Sequence, residues 1–374
     1  MDPHFSKTGS ERRAYGPPPT FMRAPGRVGR LRRPSPRRVG VAGRRRFRES
    51  SGSGIVVAMS ANATMRAAVQ SSFGGPEVLE VVDVPRPEPR PNEILVRVRA
   101  ASLNPTDWKH RSAEGFIGDP PFVLGWDLSG VVEAVGIGVA RFRPGDEVFG
   151  MLSYPFDHGS HAEYVAAPAR VFVKKPAPLS HVEAAALPLV ALTAWQALID
   201  YADLQPGHRV LIHAAAGGVG HVAVQIAKAR GAFVLGTASA AKHDFLRGLG
   251  VDETIDYRAQ DFAEVARGAD VVFDTVGGDT SIRSVQTLRP GGTVVSTLPM
   301  GSDDFDREAE RLGVRAVRML VDSSRADLGS IVALVETGRL RPAVAETFPL
   351  ERIAEAHRLG ETGRTTGKIV ITEE

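Results

Sequence analysis

The hydrophobic pattern changes near residue 181 of the 374-residue chain. Up to that point, short alternating or β-branched runs lie at residues 65–69, 93–98, 131–135 and 171–173. Glycine and proline turns such as Arg143-Pro-Gly-Asp146 separate these runs. Alternation with a period of two, bounded by turn residues, is typical of strands whose one face is buried. Residues 65–181 are therefore predicted to form a mostly β domain.

After residue 181 the pattern alternates between helix and strand. An Ala- and Leu-rich helical stretch runs to Ala202, and a second helix is predicted over 219–230. Continuous apolar runs at 209–213, 233–237, 270–273 and 293–297 predict buried strands. Strands that alternate with crossover helices form parallel, doubly wound sheets. The sequence thus predicts an α/β fold, with a Rossmann-type domain over residues 182–316.

Residues 1–64 show neither period and are rich in Arg, Pro, Gly and Ser. Residues 1–58 hold 14 Lys plus Arg against three Asp plus Glu, whereas the other 316 residues hold 32 against 40. We expect a disordered basic tail, either a transit-like segment or translated upstream sequence with Met59 or Met65 as the functional start. RNA or membrane binding by this tail is the functional alternative. The mildly acidic body indicates no nucleic-acid role.

The composition excludes several classes of chemistry. The chain has no cysteine, which excludes disulfides, thiolate nucleophiles, iron–sulfur clusters and sulfur-ligated zinc. No apolar run approaches the roughly 18 residues that a membrane helix needs. We expect a protein without a membrane span that resides in the cytoplasm.

The strongest motif follows the strand at 209–213. It has the spacing Ala215-x-Gly217-x-x-Gly220, with Gly218 and Val219 between the last two members. Without side chains at Gly217 and Gly218, the backbone turns tightly and meets a pyrophosphate, which the helix N-terminus attracts. Gly220 allows close packing of that helix on the strand. The pattern predicts dinucleotide binding, and an ordinary strand-to-helix turn is the alternative.

The second strand of this unit ends at Ser239 and lacks the acidic residue that would bind an adenosine ribose. Ser239 and Lys242 suit a 2′-phosphate instead, which predicts NADP(H) as the cofactor. A capped, solvated helix start is the alternative for this pair. Asp244 fits a surface acid near a helix N-terminus.

Residues 65–374 resemble the medium-chain dehydrogenase/reductase superfamily, in its zinc-independent quinone oxidoreductase-like branch. The resemblance rests on the order and spacing of these segments: Asn104-Pro-Thr-Asp-Trp-Lys109, Leu124-Gly-Trp-Asp127, Arg143-Pro-Gly-Asp-Glu-Val-Phe149, Gly159-Ser-His-Ala-Glu-Tyr164, Leu192-Thr-Ala-Trp195, the glycine turn, Asp274-Thr-Val-Gly-Gly278 and Gly363-Arg-Thr-Thr-Gly-Lys368. It implies a GroES-like catalytic domain, completed by residues 317–374, beside a Rossmann domain. Members are typically NADPH-dependent reductases of quinones or α,β-unsaturated carbonyls.

The resemblance also implies roles for single residues. Ser239, Lys242, Tyr257 and Arg364 would surround the 2′-phosphate. Thr193 would lie near the cofactor, and the loops after Val276 and Leu298 would offer backbone contacts. The zinc-containing branch has Cys and a Gly-His-Glu motif as metal ligands, whereas this chain reads Gly125-Trp126-Asp127. No metal ligand is therefore assigned.

Without a metal, hydride must go to a carbon that is already electrophilic, as in a quinone or enone. Asn104 and Lys109 are the candidate hydrogen-bond donors, and Trp126 with Trp108 could form apolar walls. The competing interpretation makes Asn104 and Asp107 the cap of a helix that begins at Pro105.

Four further residues have functional interpretations that compete with structural ones. The Tyr154 and Tyr164 hydroxyls could donate a proton to the substrate, but packing is the safer interpretation, because Tyr164 alternates with apolar neighbours as a half-buried strand residue would. His158 and His161 have the form of a metal pair but lie in a loop, where solvent-facing histidines are the default.

Two alternatives to a quinone or enone reductase stay open: an enoyl-thioester reductase of a biosynthetic pathway, and an NADPH-sensing protein without turnover. We expect two partners, a small-molecule substrate and a second copy of the chain. The strand near 314–321 could pair with its copy across a two-fold axis, as in the family members that the chain resembles, which predicts a homodimer.

Overall fold

The computed structural model of the chain describes residues 63–373, apart from residues 114, 116 and 298–302. The predictions for residues 1–62 and for Leu298 lie outside the described residues. The described residues all belong to one compact unit. The described strands are β1 Thr64–Gln70, β2 Leu79–Pro85, β3 Glu93–Ser102, β4 Phe122–Val123, β5 Asp127–Val135, β6 Glu147–Met151, β7 Tyr164–Pro168, β8 Phe172–Lys174, β9 Arg209–Ile212, β10 Phe233–Ala238, β11 Glu253–Asp256, β12 Ala269–Asp274, β13 Leu288–Ser296, β14 Arg315–Arg318, β15 Val344–Pro349 and β16 Lys368–Thr372.

The α-helices lie mainly between the later strands. They are α1 Pro105–Ser112, α2 His181–Ala185, α3 Pro188–Trp195, α4 Gly220–Ala229, α5 His243–Gly248, α6 Phe262–Val265, α7 Asp279–Val285, α8 Asp303–Leu312, α9 Arg325–Glu336 and α10 Ile353–Glu361. Short 3₁₀ helices are Pro76–Val78, Ala169–Val171, Ala240–Lys242 and Leu350–Arg352, and Gln196–Tyr201 is π-helical.

The first domain is built on a largely antiparallel sheet in the order β15-β16-β3-β5-β6-β8, with β7 also paired to β3. The same domain also contains a three-stranded sheet in the order β2-β1-β4. The C-terminal strand β16 pairs with β3 through Val370↔Ser102 and Ile371↔Ala101. The end of the chain therefore joins the sheet formed by residues 93–174, and it brings Lys368 beside the residues that follow β3.

The second sheet is parallel and has the order β11-β10-β9-β12-β13-β14. Its central strands are buried along most of their length, as the continuous apolar runs predict. The chain winds in opposite directions from β9, first to β10 and later to β12. In such sheets ligands bind beyond the carboxyl ends of the strands at this switch point. The α/β fold class, with a mostly β domain and a doubly wound domain, is confirmed.

The helical stretch predicted up to Ala202 is divided in the structure. Ser180 caps α2 through Glu183, and Pro188 starts α3 because proline fits the first turn but not a helix interior. Residues 188–194 of α3 are all buried, so this helix is apolar on every side and lies within the core. Leu189 at its start contacts the first domain, which joins the two sheets around one apolar cluster.

Candidate coenzyme and substrate site

The turn after β9 is held by backbone hydrogen bonds and by close packing. Ala215 N donates to Thr237 O at 2.9 Å, and Gly217 N donates to Ala214 O at 2.8 Å. A Cβ on Gly220 would lie 2.3 Å from Ala214 O and 2.6 Å from Ala215 Cα. Only glycine at position 220 lets α4 start this close to the strand, as the motif predicts.

The two glycines before Val219 have a different role from the expected one. The left-handed residue of the turn is Ala214, with φ of 49°, whereas neither Gly217 nor Gly218 has a positive φ. A Cβ on Gly218 would lie 3.2 Å from the side chain of Lys368. Gly217 and Gly218 therefore leave space around the turn, and neither is needed for an unusual backbone conformation.

A cavity of about 330 Å³ lies at the carboxyl ends of β9 and β10, next to this turn. It is lined by His213, Ala214, Ala216, Gly217, Thr237, Ala238, Ser239, Lys242, Tyr257, Phe262, Val276, Thr280, Gly363 and Thr365. Ala215 is fully buried behind the turn, and Val219 is the N-cap of α4. The cavity thus brings together five of the residues that the sequence assigns to a coenzyme, namely Gly217, Ser239, Lys242, Tyr257 and Val276.

The polar end of the cavity is formed by Ser239, Lys242 and Tyr257. Lys242 Nζ donates to the backbone oxygens of Arg364 and Thr365, both at 2.9 Å. These bonds orient the ammonium group, and burial lowers the pKa of Lys242. Tyr257 is 54% exposed, and the Ser239 hydroxyl has no hydrogen bond to another described residue. Three donors therefore remain available to an anion at this end.

Of three further predicted coenzyme contacts, Val276 lines the cavity, whereas Thr193 and Arg364 are not part of its lining. Thr193 is almost fully buried, and its hydroxyl donates to Leu189 O at 2.7 Å. Val276 is 49% exposed, and its backbone N–H donates to the Asp274 carboxylate at 2.8 Å. The Arg364 side chain is exposed. Asp244 is exposed and pairs with Arg247, as expected of a surface acid.

Sequence reasoning missed His213, at the carboxyl end of β9. Its ring lies 2.8 Å from Ser284 Oγ and 3.2 Å from Thr237 Oγ1, and it packs edge-on against Phe262. Burial lowers the pKa of His213 to about 4, so the ring is neutral near pH 7. It therefore positions the cavity wall without adding a positive charge. The sequence signal that could have identified His213 is its place as a polar residue directly after the apolar strand β9.

A buried polar network lies on the other side of the turn. Lys368 Nζ donates to Leu103 O at 2.6 Å and to Asn104 Oδ1 at 2.5 Å. Asn104 Nδ2 donates in turn to Asp127 Oδ2 at 2.9 Å, and Leu189 N donates to Asp127 Oδ1 at 2.7 Å. All three side chains are at most 3% exposed. Burial raises the pKa of Asp127 and lowers that of Lys368.

This network bears on the predicted catalytic role of Asn104. Its amide is 0% exposed and is bonded to Asp127 and Lys368, while its backbone N–H donates to Asp107 at 2.6 Å. The helix-cap interpretation of Asn104 and Asp107 matches this geometry. Asn104 as a hydrogen-bond donor to substrate stays a prediction. Its amide links Asp127 to Lys368, and the Asp107 carboxylate caps α1 by accepting from the Asn104 backbone N–H.

The other two predicted catalytic residues differ in their exposure to solvent. Lys109 is exposed on α1. Trp126 is 0% exposed, and its ring packs edge-on against Tyr154 with centroids 5.2 Å apart. Trp126 as a cleft wall stays a prediction, and in the structure its fully buried ring contacts the half-buried Tyr154.

Tyr154 belongs to a chain of hydrogen-bonding groups. Its hydroxyl is 3.0 Å from Thr106 Oγ1, which is 3.0 Å from His110 Nδ1. Burial raises the pKa of Tyr154, so the phenol keeps its proton near neutral pH. Of the groups considered for proton donation, Tyr154 is the one with a polar partner able to return a proton.

Comparisons with known proteins agree with this geometry. Residues 90–177 match the alcohol dehydrogenase GroES-like domain, and residues 249–371 match the zinc-binding dehydrogenase family. A 2-haloacrylate reductase of Burkholderia sp is 37% identical over 327 residues, which cover 82% of this chain and 98% of that protein. The chain belongs to the medium-chain dehydrogenase/reductase superfamily.

Solved structures of quinone oxidoreductases are similar to most of this chain. The Coxiella burnetii enzyme has a TM-score of 0.80 and 38% identity, covering 83% of this chain and 100% of that one. The Escherichia coli enzyme complexed with NADPH has a TM-score of 0.76 and 30% identity, covering 83% and 100%. The protein is an oxidoreductase enzyme of the NAD(P)H-dependent, quinone oxidoreductase-like type.

The described residues hold neither a cluster suited to a metal ion nor a helix suited to a membrane. Within residues 63–373, omitting those not described, no group of three or more His, Asp or Glu side chains is arranged to hold a metal ion. None of the described helices is long and apolar enough to cross a membrane.

Proposed function

We propose that the protein is a zinc-independent, NADPH-dependent reductase of quinones or α,β-unsaturated carbonyls. The observation that carries this proposal is the combination of Ser239, Lys242 and Tyr257 at the polar end of the cavity. An NADH site of this fold has a carboxylate at the end of the second strand, which would repel a 2′-phosphate. Here a hydroxyl, an ammonium and a phenol occupy that end.

The residues of the cavity fit such a coenzyme. The backbone from Ala214 to Val219 and the start of α4 would hold the pyrophosphate, since free N–H groups and the helix dipole attract anions. Ser239, Lys242, Tyr257 and Arg364 would hold the 2′-phosphate. Thr193 and the loops after Val276 and Leu298 would contact the nicotinamide end, although Leu298 lies outside the described residues. The bound coenzyme would supply a hydride.

The chain's own residues would stabilise the substrate as its charge changes. An enone that receives hydride at its β-carbon becomes an enolate over the α-carbon and the carbonyl group, and a quinone becomes a phenolate. We propose that Tyr154 Oη–H donates its proton to this anion, after which Thr106 Oγ1 and His110 Nδ1 provide a route for its return. Trp126 holds the Tyr154 ring from behind.

A substrate panel tests the proposal. Quinones, alkenals and enoyl thioesters are supplied with NADPH or NADH, and loss of absorbance by the coenzyme is followed. We expect NADPH consumption with quinones or alkenals and much slower turnover with NADH. Preference for the thioesters would favour the biosynthetic alternative, and no consumption with any acceptor would contradict a reductase of these classes.

We also propose that the protein is a homodimer. Strand β14 lies at one edge of the parallel sheet and has partly exposed residues, so a second copy could pair with it across a two-fold axis. Light scattering during size-exclusion chromatography would measure the mass, and a monomer at micromolar concentration would contradict the proposal. Cytoplasmic localisation stays a prediction.

A further inference from the structure

A second cavity lies in the first domain and shares no lining residue with the coenzyme cavity. Its volume is about 670 Å³, against about 330 Å³ for the other. Its lining includes Asn92, Val139, Pro168, Arg141, Arg170 and Arg325. The residues come from four separate parts of the chain, so the cavity is a product of the tertiary fold.

Asn92 fixes the relative position of two of the loops that form this cavity. Its backbone N–H donates to Ile137 O at 2.8 Å, and its backbone oxygen accepts from Ala169 N at 2.9 Å. Asn92 itself has φ of 65°, a left-handed conformation that asparagine tolerates better than most residues. These bonds hold the loops that carry Arg141 and Arg170 against each other.

Three arginines converge on the cavity without a compensating charge. Arg141 and Arg170 are exposed on the two loops, and Arg325 is the half-buried first residue of α9. The cavity lining contains no Asp or Glu. Hydrogen bonds and ion pairs from these three guanidinium groups to other residues of the described part of the chain are absent. Like charges repel, so their convergence favours a bound anion.

Other exposed arginines of the same protein show the contrast. Arg247, Arg307 and Arg352 each pair with an acid three residues away in sequence. Not every exposed arginine has such a partner, since the side chains of Arg90 and Arg358 form no hydrogen bond or ion pair with a described residue. What distinguishes Arg141, Arg170 and Arg325 is that all three line one cavity.

We propose that this cavity binds an organic molecule that carries two or more phosphate groups, such as a nucleoside polyphosphate. A planar guanidinium binds two phosphate oxygens at once, and three of them match a di- or triphosphate. Arg325 is the first residue of the 12-residue helix α9, whose first turn is capped by Ser324 and also holds Asp327. Val139 and Pro168 provide an apolar surface for the organic part, and the volume suits a nucleotide.

Titration calorimetry on the full chain, saturated with NADP⁺ to fill the coenzyme cavity, tests the site. ATP and coenzyme A are the two probes, which distinguish a free nucleotide from a pantetheine-linked one. Adenosine is the control without phosphate. The double variant Arg141→Gln/Arg170→Gln is compared with Arg247→Gln, which removes an exposed arginine elsewhere. Because residues 1–58 are basic in every version, the difference between native and variant protein reports the cavity.

We expect one equivalent of ATP or coenzyme A to bind and adenosine to give no heat. The double variant should bind about a hundredfold more weakly, because the charge-assisted bonds of two guanidinium groups are lost, and Arg247→Gln should change nothing. Unchanged affinity in the double variant would overturn the proposal, as would loss of ATP binding in Lys242→Ala alone. Neither result bears on quinone or enone reduction, which is measured separately.

Discussion

The turn after β9 and the buried network around Lys368 lie on either side of Gly218, yet they arise in different ways. The turn and its cavity use mainly residues between His213 and Lys242 and are held by backbone bonds. The network joins Asn104 to Lys368, which are 264 residues apart, through charged side chains. A site made of local backbone follows from a local motif, whereas a site made of distant charges depends on the whole first domain.

The largest effect is expected from removing one charge of the network. Lys368→Met leaves Asp127 as a buried carboxylate with no cation, which should lower the free energy of unfolding by about 3–5 kcal/mol. The double variant Lys368→Met/Asp127→Asn leaves no isolated charge and should recover most of that loss. Urea unfolding measures both. Equal stability of the single and double variants would show that the pair is not coupled.

A carboxyl next to the network, that of Asp107, should make the free energy of unfolding depend on pH, whereas the backbone turn should not. Burial raises the pKa of Asp107 from 3.8 to about 7 in the folded protein. Between these values the folded state holds a proton that the unfolded state has lost, so Asp107 reduces stability as the pH rises from about 4 to about 7. Since one pKa unit corresponds to about 1.4 kcal/mol, the effect is at most about 4 kcal/mol.

Asp107→Asn should remove that dependence. We expect the unfolding free energy of native protein minus that of the variant to fall as pH rises across this range, measured by urea titration at several pH values. Asp244→Asn, at a highly exposed carboxyl, is the matched control. A constant difference would show that Asp107 has an ordinary pKa.

A small steric change should damage the turn. Gly220→Ala places a methyl group 2.3 Å from Ala214 O, which should cost about 3 kcal/mol of stability and weaken NADPH binding. Gly329→Ala in α9 is the control, because a Cβ there meets nothing within 4 Å and helix propensity favours alanine. The expected contrast is destabilisation in one variant and a small gain in the other.

Removing the proposed proton donor separates chemistry from binding. Tyr154→Phe should lower kcat about 100-fold, the low end for loss of a general acid, with little change in the dissociation constant of NADPH. Stopped-flow absorbance and fluorescence titration measure the two quantities. Tyr164→Phe, on strand β7, is the control. An unchanged kcat would remove Tyr154 from the proposed mechanism.

The smallest effect concerns selection between coenzymes. Lys242→Ala should weaken NADPH binding about tenfold or more and leave NADH nearly unchanged, because one charge-assisted bond to the 2′-phosphate is lost. Fluorescence titration with both coenzymes provides the comparison, and Lys228→Ala is the control at a lysine that pairs with Asp252. Equal weakening of both coenzymes would place Lys242 away from the 2′-phosphate.

The amino-acid sequence by itself determined the two fold classes, the strand-to-helix turn with Gly220, and the polar residues at the end of β10. Each depends on periodicity or spacing within about 35 residues, where backbone geometry limits the possible arrangements. Tertiary structure alone decided that Asn104 is bonded to Lys368, that Trp126 lies behind Tyr154, and that three distant arginines share one cavity. Those contacts depend on how β16 and the loops of the first domain pack, and side-chain contacts across such distances leave no periodic signal in the chain.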